Sequence, residues 1–384
     1  MKILHLAVSV EKRRGGTAQV PLSLCRGLRA VGVDAQVAAV VNPEFADTSR
    51  ALEYPDVPVH EFPISFPKRF TGSGGLRQWL GAQVKSFDVV EVHEIFAAPP
   101  LYGRAACRRA GVPYLLNLHN GLNPRDLRKR KWLKLLFRRP FLTPLIRDAA
   151  GIKATSQYEL DNMVQYVQPK AVHMLPIPVE APPPGGDSVA FRAKWGIPAS
   201  AFVVGCVGRI DGQKALELLI EAFGIFLLSH PDAWLLLAGT GTPEYTGHIR
   251  RLLAEHRVDS RCTLPGFVSG ADKSSAFLAI DFYTQVSWYE NFCIAVAEAM
   301  AMGCPCLVSD QVGLAPDVLV SGAGFSCRTT VPDVLDGLMK GWAARSEREQ
   351  MASAAKRYFN NHLTMAATTP KLVRIYEQVL SSAR

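Results

Sequence analysis

No stretch of this sequence approaches the ~18 unbroken apolar residues that a membrane-spanning helix needs. The nearest, Leu216–Leu228, is interrupted by Glu217 and Glu221. Low-complexity tracts are scarce and charged residues are only 20%, which argues against long disorder. Eight cysteines are scattered through 384 residues, and their one close pair, Cys304-Pro-Cys306, has neither a redox nor a zinc-knuckle spacing. Reduced, mostly buried thiols in a cytoplasmic protein are the expectation. A G-x-G-x-x-G opening a helix is missing, which sets aside a nicotinamide-dependent oxidoreductase. An Asp-x-Asp at a strand end is missing too. The first residues, MKILHLAVSVEKRR, hold an apolar run carrying His5 and Ser9 and no small-residue cleavage site. That is a buried first strand, not a signal peptide.

What is present is 48% hydrophobic residues over a length too great for one ordinary core, so two domains are expected. Short apolar runs alternate with amphipathic stretches. Ile3–Val8, Ala35–Val41, Val57–Phe62, Asp88–Val92, Tyr114–Leu118, Gly151–Ala154 and Ala171–Leu175 read as strands, with helices such as Gln19–Ala30 and Leu101–Arg109 between them. This alternation implies a parallel sheet covered on both faces. The proline-rich run Pro176–Gly186 cannot be regular structure and reads as a linker. Beyond it, strands Phe202–Val207, Trp234–Ala238, Cys262–Leu264, Asp281–Thr284, Cys306–Ser309 and Gly324–Ser326 alternate with helices Leu216–Leu228, His248–Glu255 and Ile294–Met302. The expected fold is α/β, two Rossmann-like doubly wound domains facing across a cleft. The first spans residues 1–178, the second 187–360, and 361–384 is a carboxyl-terminal helix that could return to the first domain.

The net charge of +9 is unevenly spread: Arg125–Arg139 holds eight Lys or Arg against one acid, Asp126. Trp132, Leu133, Leu135, Leu136 and Phe137 are interleaved at helical spacing. Either this is a solvated helix with one face in the core, or Arg128, Lys129 and Lys131 meet an anionic membrane surface or lipid-phosphate acceptor. No aromatic stacking platform accompanies the charge, so nucleic acid is not an expected partner.

Four stretches could carry chemistry, each beside an expected strand. Arg13-Arg14-Gly15-Gly16-Thr17 joins the first strand to the first helix, where backbone N–H groups can approach an anion. Gly208-Arg209-Ile-Asp-Gly-Gln-Lys214 follows a strand. Arg209 stands at the carboxyl end, where open parallel sheets bind ligands. Lys214 reads as the first turn of the next helix, a place unfavourable to a cation unless an anion such as a diphosphate lies nearby. Gly239-Thr-Gly241 resembles half a dinucleotide fingerprint, with Glu244 replacing the third glycine, and reads as a tight turn near a nucleotide. Tyr289–Gly303 passes from loop to helix near Cys293. Glu290 and Glu298 there would lie ~12 Å apart if both were helical. That suits the two ends of one extended ligand better than a single acid/base couple.

Together these stretches resemble the retaining glycosyltransferases with the GT-B fold, group 1 or family 4-like. The resemblance runs through Gly15-Gly16, Val112–His119 with Gly121, Ala154–Glu159, Gly208-Arg209 with Lys214, and Glu290 with Glu298. It implies a hexose-type sugar moved from a UDP- or GDP-sugar to a glycan or lipid-linked acceptor, in bacterial surface polysaccharide or glycolipid assembly. It implies no metal or other cofactor, and a cytoplasmic or peripheral place on the inner face of the cell membrane. Arg209 and Lys214 would hold the donor diphosphate and Glu298 the ribose hydroxyls. Glu290, with the backbone of Asn291, Phe292, Cys293 and Ile294, would hold the sugar. His119 would reach it as a catalytic residue, Gly16 would lie by the phosphates or acceptor, and the loop at Val268 would meet the base. Three positions depart from the family pattern. Cys293 and Ala215 stand where glycine is usual, and Asn120 separates His119 from Gly121. A sugar-nucleotide epimerase of the same fold and a catalytically silent sugar-nucleotide binder remain open alternatives.

Overall fold

The computed structural model describes residues 1–11, 16–119, 121–124 and 137–383. Arg128, Lys129 and Lys131 lie outside the described residues, as do Arg13, Arg14, Gly15 and Asn120. The chain packs as two compact units, Met1–Pro178 with Met365–Arg384, and Val179–Thr364. The run from Pro176 to Gly186 carries no helix or strand.

In the first unit the order is β1 (Lys2–Ala7), α1 (Gly16–Ala30), β2 (Asp34–Val41), β3 (Val59–Pro63), α2 (Gly74–Gln83), β4 (Val89–His93), α3 (Ala98–Ala110), β5 (Tyr114–Asn117), α4 (Thr143–Asp148), β6 (Gly151–Ala154), α5 (Gln157–Val164) and β7 (Val172–Met174). The seven strands form one sheet in the order β3-β2-β1-β4-β5-β6-β7, and every pairing is parallel. Successive residues alternate between its faces. Leu4 and Leu6 pack with Leu76, Ala106, Leu145 and Met163 on one side. Ile3 and Ala7 pack with Leu22 and Leu28 of α1 on the other. The second unit follows with α6 (Ser188–Lys194), β8 (Phe202–Val207), α7 (Leu216–Leu227), β9 (Ala233–Ala238), α8 (Pro243–Glu255), β10 (Cys262–Gly266), α9 (Gly270–Ala279), β11 (Phe282–Gln285), α10 (Ile294–Met302), β12 (Cys306–Ser309), α11 (Ala315–Ser321), β13 (Gly324–Cys327), α12 (Val331–Ala343) and α13 (Arg348–Tyr358). Its sheet order is β10-β9-β8-β11-β12-β13, again parallel. Phe223, Phe226, Leu235 and Leu338 are among its fully buried side chains, each contributing roughly 1.5–3 kcal/mol of transfer free energy.

The last helix, α14 (Met365–Ala383), belongs to the first unit. Leu372, Ile375, Tyr376 and Val379 close the α1 face of that sheet. No described helix is long and apolar enough to cross a membrane. All eight cysteines are free thiols, seven of them buried.

Local chemistry explains two of the sequence motifs. In Ala154–Glu159, Ser156 Oγ accepts from the Glu159 backbone N–H at 3.1 Å, and the Glu159 carboxylate accepts from Thr155 N–H at 2.8 Å. This reciprocal pair is a capping box, shifted by one residue, that starts α5. The Gly239-Thr-Gly241 turn is likewise a packing device. A Cβ on Gly239 would lie 1.6 Å from the Gly208 carbonyl oxygen, and one on Gly241 would lie 2.0 Å from that of Ile210. The turns after β8 and β9 therefore dock backbone on backbone, joined by Ile210 N–H to the Thr240 carbonyl at 2.9 Å.

Gly239 also has φ of 151°, which disfavours any side chain. Gly239→Ala should therefore cost ~2–4 kcal/mol of stability, from overpacking plus backbone strain. Urea unfolding of the purified variant measures this; an unchanged midpoint would mean the two turns are not held as described.

Candidate active site

In doubly wound sheets the strand order reverses at one point, and the crevice outside the strand carboxyl ends there is the usual ligand position. In the second unit that point lies between β8 and β11. The loops leaving these two strands bring Lys214 and Glu290 together, Nζ to Oε1 at 2.7 Å. Lys214 is not in the first turn of a helix. It ends a short 3-10 turn, Gly212–Lys214, and α7 begins only at Leu216. The carboxylate beside it is that of Glu290.

Both loops are tied down by hydrogen bonds. Asp211 caps the 3-10 turn by accepting from Gln213 N–H at 3.1 Å. Trp288 N–H donates to the Gln213 carbonyl, and Gln213 Nε2 donates to the Tyr289 carbonyl, each at 2.9 Å. Glu290 N–H donates to Gln311 at 2.9 Å, and Gly313 N–H donates to the Glu290 carbonyl at 3.0 Å. Lys214 is buried and Glu290 nearly so, with side chains 9% and 16% exposed. Burial pulls the lysine pKa down, but the nearby Glu290 carboxylate, with smaller help from Cys293 and Cys206, holds it above the usual lysine range. Lys214 is therefore an ammonium with N–H donors to spare once Glu290 has taken one. Arg209 stands on the same loop, 75% exposed, with Asp211 at 3.2 Å from its guanidinium.

Beyond Glu290 the chain enters α10 through Cys293, whose φ of 74° and ψ of 81° are left-handed. Ala215, at the start of α7, has φ of 50°. The two positions where the sequence replaces the family's glycine are thus both positions whose backbone favours one. Burial pushes the Cys293 thiol up to about 12, so it is a protonated filler and a poor nucleophile. Phe292 is buried, and Asn291 and Ile294 are half-buried. Glu298 lies in the second turn of α10 and meets Lys273 of α9 at 2.6 Å. Burial raises Glu298 above the ordinary carboxylate value, against the pull of Lys273. Each of the two glutamates thus has its own lysine. Val268 is half-buried in the loop between β10 and α9.

In the first unit Gly16 is exposed at the start of α1. His119 follows β5 with φ of 46°, and its Nε2 lies 3.0 Å from Nδ1 of His93, the last residue of β4. His93 Nε2 lies 3.2 Å from His5 Nδ1 on β1. Beneath them Glu91, fully buried, accepts from Lys153 Nζ at 2.7 Å and from Asn117 Nδ2 and the Tyr376 hydroxyl. Sequence reasoning found His119 but missed His5, Glu91, His93, Lys153 and Lys273. The available signal was a glutamate and a histidine inside Asp88–His93, a run otherwise apolar enough to be buried on both faces.

A family model for glycosyl transferases group 1 matches residues 187–358, and one for a glycosyl transferase 4-like domain matches residues 15–180. The D-inositol 3-phosphate glycosyltransferase of Arthrobacter sp. (strain FB24) is 23% identical over 400 residues, 96% of this chain and 92% of that protein. The GDP-mannose:cellobiosyl-diphosphopolyprenol alpha-mannosyltransferase of Xanthomonas oryzae pv. oryzae is 23% identical over 325 residues, 81% of this chain and 79% of that protein. The crystal structure of Anabaena HepE in complex with UDP superposes with a TM-score of 0.78 at 19% identity, over 98% of this chain and 100% of that one. At that identity the likeness is one of fold: two Rossmann-like domains of the GT-B glycosyltransferase type. The chain belongs to the group 1 glycosyltransferases.

The left-handed backbone at Cys293 gives a direct test of the local geometry. A β-branched residue is far less tolerant of positive φ than glycine. Cys293→Val should be about 2 kcal/mol less stable than Cys293→Gly, within the range for a strained residue. Equal thermal midpoints for the two variants would contradict the conformation described.

Proposed function

We propose that the protein is a retaining hexosyltransferase that takes its sugar from a UDP- or GDP-sugar. In this reading the acceptor is a glycan or lipid-linked sugar, in bacterial surface polysaccharide or glycolipid assembly at the inner face of the cell membrane. The observation that carries the proposal is Lys214: a charged, buried ammonium at the switch point of the second sheet, held by Glu290 alone among the described carboxylates within ion-pair distance. The named activities of relatives support it. The Xanthomonas protein is named for GDP-mannose and a diphosphopolyprenol acceptor, and the HepE structure contains UDP.

In this reading Lys214 and Arg209 hold the donor diphosphate and supply the positive charge that a metal ion provides in other transferases. They stabilise the leaving diphosphate as charge develops on it, and preorganised charge of this kind costs no reorganisation at the moment of reaction. Glu290, already fixed through its backbone, orients the transferred sugar together with the backbone of Asn291, Phe292 and Cys293. Glu298, in the second turn of α10, binds the ribose hydroxyls, and the loop at Val268 meets the base. His119 is assigned a catalytic role on the sugar and Gly16 a place by the phosphates or acceptor. Positioning does most of the work.

Arg209→Ala removes an exposed side chain and should leave the fold intact. It should weaken UDP or GDP binding, whichever nucleotide the protein takes, by ~1.5–3 kcal/mol in calorimetry. Glu290→Gln should lower kcat on the order of a hundredfold while scarcely changing affinity for the bare nucleotide. Glu298→Gln should instead raise the donor KM and weaken the bare nucleotide. Arg209→Ala binding as tightly as the parent, or the two glutamate variants exchanging behaviour, would overturn these assignments.

A further inference from the structure

The first unit contains a polar row that the donor chemistry does not use. His5, Glu91, His93, Asn117 and Lys153 lie on the sheet face covered by α1 and α14, and all five are buried. Strand register sets them side by side. His5 stands opposite Glu91, His93 opposite Asn117, and Asn117 opposite Lys153. His5, Glu91 and His93 are close enough together to suggest a metal site. However, Lys153 already places a cation 2.7 Å from Glu91, and Asn117 and Tyr376 occupy further lone pairs of that carboxylate. The row has its counter-ion.

What remains is a line of three imidazoles, His5–His93–His119, with gaps of 3.2 and 3.0 Å. Burial lowers His5 and His119 to about 4 and His93 well below its ordinary value, so at neutral pH each ring is uncharged and carries one N–H. His93 uses both its nitrogens in the line, so one donates and the other accepts. The two bonds must then run in the same direction, and that direction fixes which nitrogen of His119 holds the proton.

Two neighbours decide it. An ionised carboxylate only accepts, so the Asn117 amide presents its NH2 to Glu91. The same Nδ2 lies 3.4 Å from His93 Nδ1, which disfavours a proton on that nitrogen. On the other side Glu91 Oε1 lies 3.6 Å from His93 Nε2 and favours a proton there. His93 is then the Nε2–H form: it donates to His5 and accepts at Nδ1 from His119 Nε2–H. Two features oppose this. Glu91 Oε1 also lies 4.0 Å from His5 Nδ1, which must accept in this arrangement, and His5 is left with an N–H on Nε2, a nitrogen with no hydrogen-bond partner among the described residues. The closer approach of the carboxylate to His93 and the Asn117 amide donor acting on the same ring outweigh a longer contact and one unmade neutral bond.

We propose that Glu91 and Asn117, acting through His93, are positioning residues that hold His119 as the neutral Nε2–H tautomer, so that its Nδ1 faces a ligand as a hydrogen-bond acceptor. A lone pair of that kind recognises a sugar hydroxyl; this last step rests on the catalytic role proposed for His119.

Two-bond proton–nitrogen correlation spectra of ring-15N-histidine protein read the tautomers directly, with His119→Gln assigning its own signal. His119 and His93 should both be Nε2–H and unchanged between pH 7.5 and 5.5. In His93→Gln, and separately in Asn117→Leu, the His119 signals should move toward the Nδ1–H form, and kcat should fall at least tenfold with nucleotide affinity retained. An Nδ1–H His119 in the parent protein, or a His119 tautomer indifferent to both substitutions, overturns the proposal. A shifted tautomer with unchanged kcat would uphold the positioning and refute the catalytic role given to His119.

Discussion

The second unit is organised around one ion pair, Lys214 with Glu290. Withdrawing two charges from water costs several kcal/mol, and removing either partner of a buried pair typically costs 3–5 kcal/mol because the other charge is stranded. The surrounding backbone is held by hydrogen bonds from both loops. The Gly212–Lys214 turn is bonded to the 288–290 loop, and Glu290 is bonded on both sides of its own peptide. The Gly208 turn is locked against Gly239 by contacts that exclude a Cβ. Left-handed Ala215 and Cys293 are the bends by which each loop leaves the pair and enters its helix. Under the proposed function, an anionic ligand shares the lysine of this closely held pair.

The first unit offers an internal comparison. There too a lysine and a glutamate pair at 2.7 Å, Lys153 on β6 with Glu91 on β4, the strand that flanks the switch point of that sheet. Yet this pair is closed: side-chain exposures are 3% and 0%, and Asn117 and Tyr376 complete the carboxylate. The carboxyl-terminal helix supplies the Tyr376 hydroxyl, so the last helix of the chain seals a polar layer laid down by strands near its start. One pair is finished by the protein. The other keeps some exposure and spare donors. Under the proposed function, that difference separates a group that orients neighbours from a group that binds.

The fold was largely legible in the sequence because parallel strands buried on both faces are continuous apolar runs. All thirteen strands among the described residues fall within two residues of their expected ends. Helices α7 and α10 were likewise visible, since Leu216 and Ile294 begin runs of strong apolar character. Of the candidate site, the residues at strand ends and loop motifs could be named, but their partners could not. Lys214 needed Glu290, 76 residues away, and Glu298 needed Lys273 on a different helix. The histidine line was invisible for the same reason. His5, His93 and His119 come from three strands or strand ends, and only the register of β1, β4 and β5 makes them neighbours. Periodicity reports which face a residue takes, not which residue stands beside it. Gly239 and Gly241 carried a different ambiguity: a motif shaped like a nucleotide fingerprint serves here to let two turns touch.

The most direct test of the account is a crystal structure with UDP or GDP bound. The β-phosphate should lie within hydrogen-bond distance of Lys214 Nζ, roughly 2.7–3.2 Å, with Arg209 turned toward it and Glu290 still joined to Lys214. A nucleotide whose phosphates bind away from the Gly208–Lys214 loop, leaving the Lys214–Glu290 pair untouched, would contradict it.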